Sequence, residues 1–299
     1  MKKTLPIGEV YRYFRTSKNF ALKEAAKDCL SPSQLSNFEN GRSHVSCLAL
    51  LYLLNNINVS AHEFFHHLNA QLHHLDWFEE RDRAHLNRNP LHLQKIIQRY
   101  EKLLGQNVSF SKRLNLDKFR LEATLHQIDA HFPLSSKRLT ATKQYLDNIK
   151  IWGDYEFDLL SDIAMLLDLG SLSKFSHKIL KTARYRSIHP LTQKAQIKAV
   201  ITLLAIFIKH RQKFLAEELL HFIDSSNIPE IDLFERVNFM YQKAHFEVVF
   251  GDRRSIETMK KCQSIFEQCA SYQMAQKLAE EIKSLEALFK PNKQDRQLL

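Results

Sequence analysis

Breakers are scarce in this chain: six glycines and seven prolines in 299 residues. They fall between periodic segments, at Pro6, Gly8, Pro32, Gly41, Pro90, Gly105, Pro133, Gly153, Gly170, Pro190, Pro229, Gly251 and Pro291. Alternation with a period of two is also missing, which leaves no signature for an exposed β-sheet. Cysteine is limited to Cys29, Cys47, Cys262 and Cys269 with no CxxC spacing, so neither a zinc knuckle nor a disulfide framework is indicated. The longest apolar stretch, around Val200 to Ile208, falls far short of the roughly 20 residues a membrane span needs. Met1-Lys2-Lys3 is not followed by an apolar segment of signal-peptide type, and the expected location is the cytoplasm. Acids are outnumbered, 33 against 43 Lys and Arg, which gives a formal charge of +10. Such an excess favours a polyanionic partner, because cations on phosphates release condensed counterions. The excess is spread: eight Lys or Arg face five acids in the first 68 residues.

What is present is helical periodicity. Leu159, Leu160, Ile163, Leu166 and Leu167 share one face, as do Ile197, Val200, Ile201, Leu204 and Ile208. A third stripe runs through Ile256, Met259, Cys262, Ile265, Phe266 and Cys269. An all-α fold follows. Beyond about residue 75 the breakers mark off roughly ten helices that pair into hairpins, the rhythm of a tetratricopeptide-like helical-repeat array; a compact bundle is the alternative. The expected organisation is a helix-turn-helix domain at 1–68, a linker helix at 69–80, a helical-repeat domain for dimerisation and ligand sensing at 81–290, and a polar tail at 291–299.

Residues 7 to 68 read as five short helices: Ile7 to Lys18, Leu22 to Asp28, Pro32 to Asn40, Cys47 to Asn55 and Ala61 to Leu68. A tight turn through Cys29, Leu30 and Ser31 separates the second from the third, the geometry of a helix-turn-helix. Ser31, Pro32 and Gln34 form a capping box that starts the third helix, and Gly41 ends it. Leu35 and Phe38 turn inward, leaving Ser33, Gln34 and Asn37 outward. Gln and Asn can pair bidentately with adenine, so these are the candidates for base reading. Lys23 and Arg42 are placed to grip phosphates, and with Ser31 they complete the expected DNA-binding set.

The stretch Leu22-Lys23-Glu24-Ala25-Ala26 and the run from Leu30 to Arg42 (LSPSQLSNFENGR) resemble the lambda-repressor-like, Xre-type helix-turn-helix of the Rgg/GadR/MutR family of Firmicutes regulators. Trp152-Gly153-Asp154-Tyr155-Glu156 resembles that family's mid-chain W-x-x-Y-E signature. The resemblance implies a homodimer acting on double-stranded promoter DNA at an imperfect palindrome. It also implies a helical-repeat C-terminal domain that in many relatives binds a short secreted peptide pheromone, a quorum-sensing role. It further implies that Glu39 pairs with a first-helix arginine, Arg12 or Arg15, as a buried brace. Some relatives have a cysteine early in the fourth helix that links two subunits, and Cys47 occupies a similar place. Ala21 and Ala25 depart from the usual pattern and predict a second helix less firmly seated.

Three further readings come from the residues themselves. His62-Glu63-Phe64-Phe65-His66 fits the zinc-protease pattern H-E-x-x-H. Glu63, however, is needed with Ser60 for a helix cap, and Phe64, Phe65 and Leu68 for the core, so no catalytic residue, metal or cofactor is expected and the chain is not an enzyme. Trp152 and Tyr155 suit either core packing or a peptide pocket. Lys150, Arg184, Lys209, Arg211 and Asn238 lie between apolar stripes as candidate contacts for a peptide's backbone or carboxylate. The rival functional class is a helical-repeat protein-interaction adaptor with non-specific DNA affinity.

Overall fold

The computed structural model describes residues 7–71, 76–106, 111–183 and 190–289. Its chain divides into two compact units, residues 1–80 and 81–299, and the described residues contain helices and no strand.

Unit 1 holds α1 (Ile7–Ser17), α2 (Leu22–Ala26), α3 (Pro32–Glu39), α4 (Cys47–Asn56) and α5 (Ala61–Gln71). Their apolar faces meet in one core built on Val10, Tyr11, Phe14, Leu35, Phe38, Leu53, Leu54 and Phe64. The Tyr11 hydroxyl donates to the Leu53 carbonyl at 3.1 Å, so this large side chain is buried with its polar end satisfied. Gly8, which reads as a breaker, lies inside α1 and is buried. A Cβ there would stand 2.0 Å from the Phe38 carbonyl oxygen, so only glycine lets α1 approach the end of α3 this closely. Phe65 corrects the expectation that it belongs to the core: it is 41% exposed, because Phe64 and Leu68 take the inward face of α5.

α6 (Asp76–Leu86) carries the chain across the boundary between the units. Unit 2 continues with α7 (Pro90–Gln106), α8 (Ser111–Ile128), α9 (Ser136–Asn148), α10 (Asp154–Ile163) and α11 (Leu169–Ala183). It ends with α12 (Pro190–Lys209), α13 (Lys213–Ser226), α14 (Leu233–Phe250), α15 (Ile256–Gln268) and α16 (Tyr272–Phe289). α8, α10, α12 and α14 pack successively side by side. Asp154 meets Thr192, Asp158 meets Lys198, and Lys194 meets Asp232, so α10, α12 and α14 begin at the same level. α9, α11 and α13 form a second layer, with Lys174 bound to Asp147 and Lys143 to Asp168 between α9 and α11. One large core joins α8 to α13, and a smaller one, around Tyr241, Met259, Cys262 and Leu278, joins α14 to α16. Cys269 departs from its predicted stripe: it caps α15 and is exposed, one residue past the turn that Phe266 buries.

Two histidines of unit 2 are kept neutral. At His85 burial comes first, reinforced by Lys277 and Arg81; at His245 burial dominates over the opposing Glu281. Their protonation is thus held below the ordinary histidine value of 6.5. The unfolded chain takes up these protons as pH falls through that value while the folded chain resists, so stability drops on acidification. The slope is at most about 1.4 kcal/mol per pH unit for each histidine. Urea midpoints of unit 2 are expected to fall between pH 7.5 and 5.5, and a pH-independent midpoint would contradict the assignment.

Candidate nucleic-acid interface

The local sequence explains why α3 stands where it does. Ser31 Oγ accepts the Gln34 N–H at 3.2 Å, and Gln34 Oε1 accepts the Ser31 N–H at 2.9 Å, so both halves of the capping box form. At the other end Asn40 caps the helix, and Gly41 takes φ +70°, a conformation that costs glycine little. Leu35 and Phe38 are buried at 0% and 4% exposure. Ser31, Ser33, Gln34, Asn37 and Arg42 are consequently exposed on the opposite side, and Lys23 is exposed on α2. Gln34 therefore has two tasks on one amide: its oxygen is held by the cap, whereas no such bond holds Asn37. Ser33 Oγ lies 3.0 Å from Ser31 Oγ, next to the cap.

α2 is seated by means the local sequence does not advertise. Ala21 offers no hydroxyl, yet Glu24 accepts its N–H at 2.9 Å, and Asn56 from α4 donates to the Ala25 and Lys27 carbonyls at 3.0 and 2.9 Å. Ala25 and Ala26 are fully packed, so the small side chains fit a close helix contact.

The two arginines offered to Glu39 are resolved. Arg15 binds it with both Nε and Nη2, at 2.6 and 2.8 Å, while its Nη1 donates to the Phe20 carbonyl at 2.7 Å. Arg12 instead reaches Asn40 Oδ1 at 3.3 Å. Glu39 is 3% exposed, and its hydrogen bond is the chief cause of the upward shift at Arg15, ahead of the opposing effect of burial.

His62, Glu63 and His66 are exposed on α5, with the Glu63 N–H held by Ser60 Oγ at 3.0 Å. Among the described residues no group of three possible ligands gathers around a metal position. Cys47 is exposed in the first turn of α4. No described helix is long and apolar enough to cross a membrane.

In unit 2 the family-like signature around Trp152 forms a clamp. The Trp152 indole donates to the Leu146 carbonyl at 3.2 Å, and its ring packs on Phe157 and Phe175 with centroids 5.7 and 5.6 Å apart. Glu156 accepts the Gly153 N–H at 2.9 Å and the Tyr145 hydroxyl as well. Burial first, and that hydrogen bond second, push the Tyr145 phenol up to about 12. Tyr155 lies under Arg113, whose guanidinium carbon is 3.6 Å from the ring centroid.

The candidate peptide contacts do not form one cluster. Lys150 is exposed just before α10, whereas Lys209 and Arg211 are exposed at the far end of α12, a helix about 30 Å long. Asn238 is half-buried within α14, and Arg184 lies outside the described residues, as does the tail at 291–299. Sequence reading missed a set of buried charges on α8. Asp117, Lys118, Arg120 and Glu122 are each at most 8% exposed. Arg138 binds Glu122 at 2.6 and 2.7 Å, and Tyr100 and Arg113 bind Asp117 at 3.1 and 3.2 Å. The available signal was an absence of amphipathic separation: a helix that mixes charged and apolar residues around its whole circumference suits burial only when partners surround its charges.

An all-α chain with a helix-turn-helix unit ahead of a layered helical array belongs to a class of transcription regulators. A family model for the C-terminal domain of the HTH-type transcriptional regulator Rgg matches residues 93–280, and the chain belongs to the Rgg family. Solved structures with the same fold include the SHP pheromone receptor Rgg2 of Streptococcus dysgalactiae, at 20% identity and TM-score 0.72, covering 93% of this chain and 99% of that one. A transcriptional regulator of Listeria monocytogenes EGD-e matches at 15% identity and TM-score 0.76, covering 96% and 99%. PrgX in complex with iCF10 matches at 15% identity and TM-score 0.69, covering 97% and 100%.

Proposed function

We propose that the chain is a homodimeric, sequence-specific DNA-binding regulator in the cytoplasm, controlled by a short peptide held in unit 2. Residues 1–68 supply the DNA contact, 69–80 connect, and 81–290 supply dimerisation and sensing. The observation that carries this reading is the two-sided character of α3: Leu35 and Phe38 are buried while Gln34, in its first turn, and Asn37, three residues further on, are exposed. A pair of such helices suits successive major grooves of an imperfect palindrome, with half-site centres about 34 Å apart. Lys23 and Arg42 flank the readout helix as phosphate contacts. The peptide part rests on the relatives: one similar structure is a pheromone receptor, and another is described as a bacterial peptide pheromone/receptor complex. Peptide binding then shifts the dimer between arrangements that do and do not fit the operator. Cys47, exposed on α4, is the candidate for a bridge between two subunits.

The decisive residue is Asn37, since Gln34 also maintains the helix start. Anisotropy titrations with fragments from upstream of the gene, against random DNA, provide the test. Asn37→Ala is expected to lose about 1–3 kcal/mol of discrimination, roughly 5- to 150-fold, with random-DNA affinity unchanged. Undiminished discrimination would refute the readout, and equal wild-type affinity for both DNAs would refute the function.

A further inference from the structure

α6 crosses the boundary between the units, and its residue Arg81, the first of unit 2, is buried at 4% exposure. A buried guanidinium needs a carboxylate partner. Arg81 Nη1 donates to Asp162 Oδ2 at 2.6 Å, in the last turn of α10. Arg120 Nε, on α8, donates to the same oxygen at 2.6 Å. One carboxylate thus gathers two cations from helices far apart in sequence. The remaining arm of Arg81 is fixed by Asp82 Oδ1 at 2.8 Å from Nε. One turn further along α6, His85 sits with Nδ1 buried and unpartnered, within the electrostatic reach of Lys277, and beyond it Asn87 is hydrogen-bonded to Gln273 of α16. The far half of α6 is therefore fastened to α10 through one charge, and the turn that follows it to α16 through an amide pair. Neither the DNA readout nor the candidate peptide contacts use these residues.

We propose that Asp162 and Arg81 are positioning residues that set where the connecting helix enters unit 2, so that a rearrangement of α8 and α10 is passed along α6 towards unit 1. The proposal rests on the reading of unit 1 as a DNA-binding unit and unit 2 as its controller. Its physical basis is that two buried cations on one carboxylate oxygen make a joint with few tolerated geometries: moving α10 without α6 breaks the buried Arg81–Asp162 pair, so the helices move together.

The test uses the full chain without peptide. Arg81→Gln removes the α6 cation from Asp162 while leaving Arg120 there, and two quantities are read: amide exchange across residues 76–86, with α12–α14 as internal reference, and the ratio of operator to random-DNA affinity. The expected result is at least tenfold faster exchange in 76–86, unchanged exchange in α12–α14, and at least a fivefold change in the affinity ratio. Arg81→Lys, which retains the charge but cannot span Asp82 and Asp162 together, is expected to shift both quantities in the same direction by less. If Arg81→Gln fails to fold, a wild-type ratio in Arg81→Lys overturns the proposal. Faster exchange with an unaltered affinity ratio also overturns it, reducing the pair to a structural brace, as does unaltered exchange. A wild-type chain that does not discriminate operator from random DNA sinks the functional reading itself, a distinct outcome.

Discussion

Glu39→Ala is expected to unfold unit 1 while unit 2 stays folded. The substitution leaves Arg15, 12% exposed at its side chain, with its Nε and Nη2 facing a pocket from which the carboxylate has gone. Breaking a buried pair from one side costs about 3–5 kcal/mol, which is comparable to the whole stability expected of so small a core. Amide exchange over residues 7–68 should rise towards the unfolded limit, with residues 81–289 still protected. The identity of the cause is checked by removing the other charge as well. Arg15→Met/Glu39→Leu takes out the stranded cation and is expected to recover most of the loss, because replacing both members of a buried pair by apolar groups is often close to neutral. A double variant as unstable as Glu39→Ala would mean that the pair matters for shape rather than charge. Asn37→Ala gives the contrast: its exposed side chain should change DNA discrimination with unit 1 fully folded.

The second large effect is expected at Trp152→Ala. Trp152 is 7% exposed and fills the junction between the end of α9, α10 and α11, against Phe157 and Phe175. Truncating a side chain of this size in a packed core costs about 3–5 kcal/mol, the lost transfer energy adding to the cavity left behind. The Leu146 carbonyl does not become an orphan, because Lys178 Nζ also donates to it, at 2.8 Å. Most of the loss is therefore packing, and Trp152→Phe should recover more than half of it. Denaturant unfolding of unit 2 measures the effect. A loss below about 1 kcal/mol would overturn the core role and favour the pocket role for this residue.

The start and end of α3 were legible from Ser31, Pro32, Gln34 and Gly41 because capping and left-handed turns are decided within four or five residues. The inward set Leu35 and Phe38 was legible for the same reason: period alone tells which face of a short helix is apolar. The choice between Arg12 and Arg15 was not, since it depends on which side of α1 faces the end of α3. Gly8 gave only a weak breaker signal, although its real role is to admit the Phe38 carbonyl at van der Waals range. Phe65 was assigned to the core by its apolarity, yet the angle of α5 leaves it outside.

By itself, then, the amino-acid sequence determined that this chain is helical throughout, where the readout helix begins, and which amides it turns outward, all consequences of bonds between near neighbours. Only the tertiary structure decided which charges are buried. Asp117, Arg120 and Glu122 are interior because α7, α9 and α10 close around α8 and bring partners from 16 to 42 residues away. A charge's burial is set by what lies opposite it in space, and no local pattern carries that information.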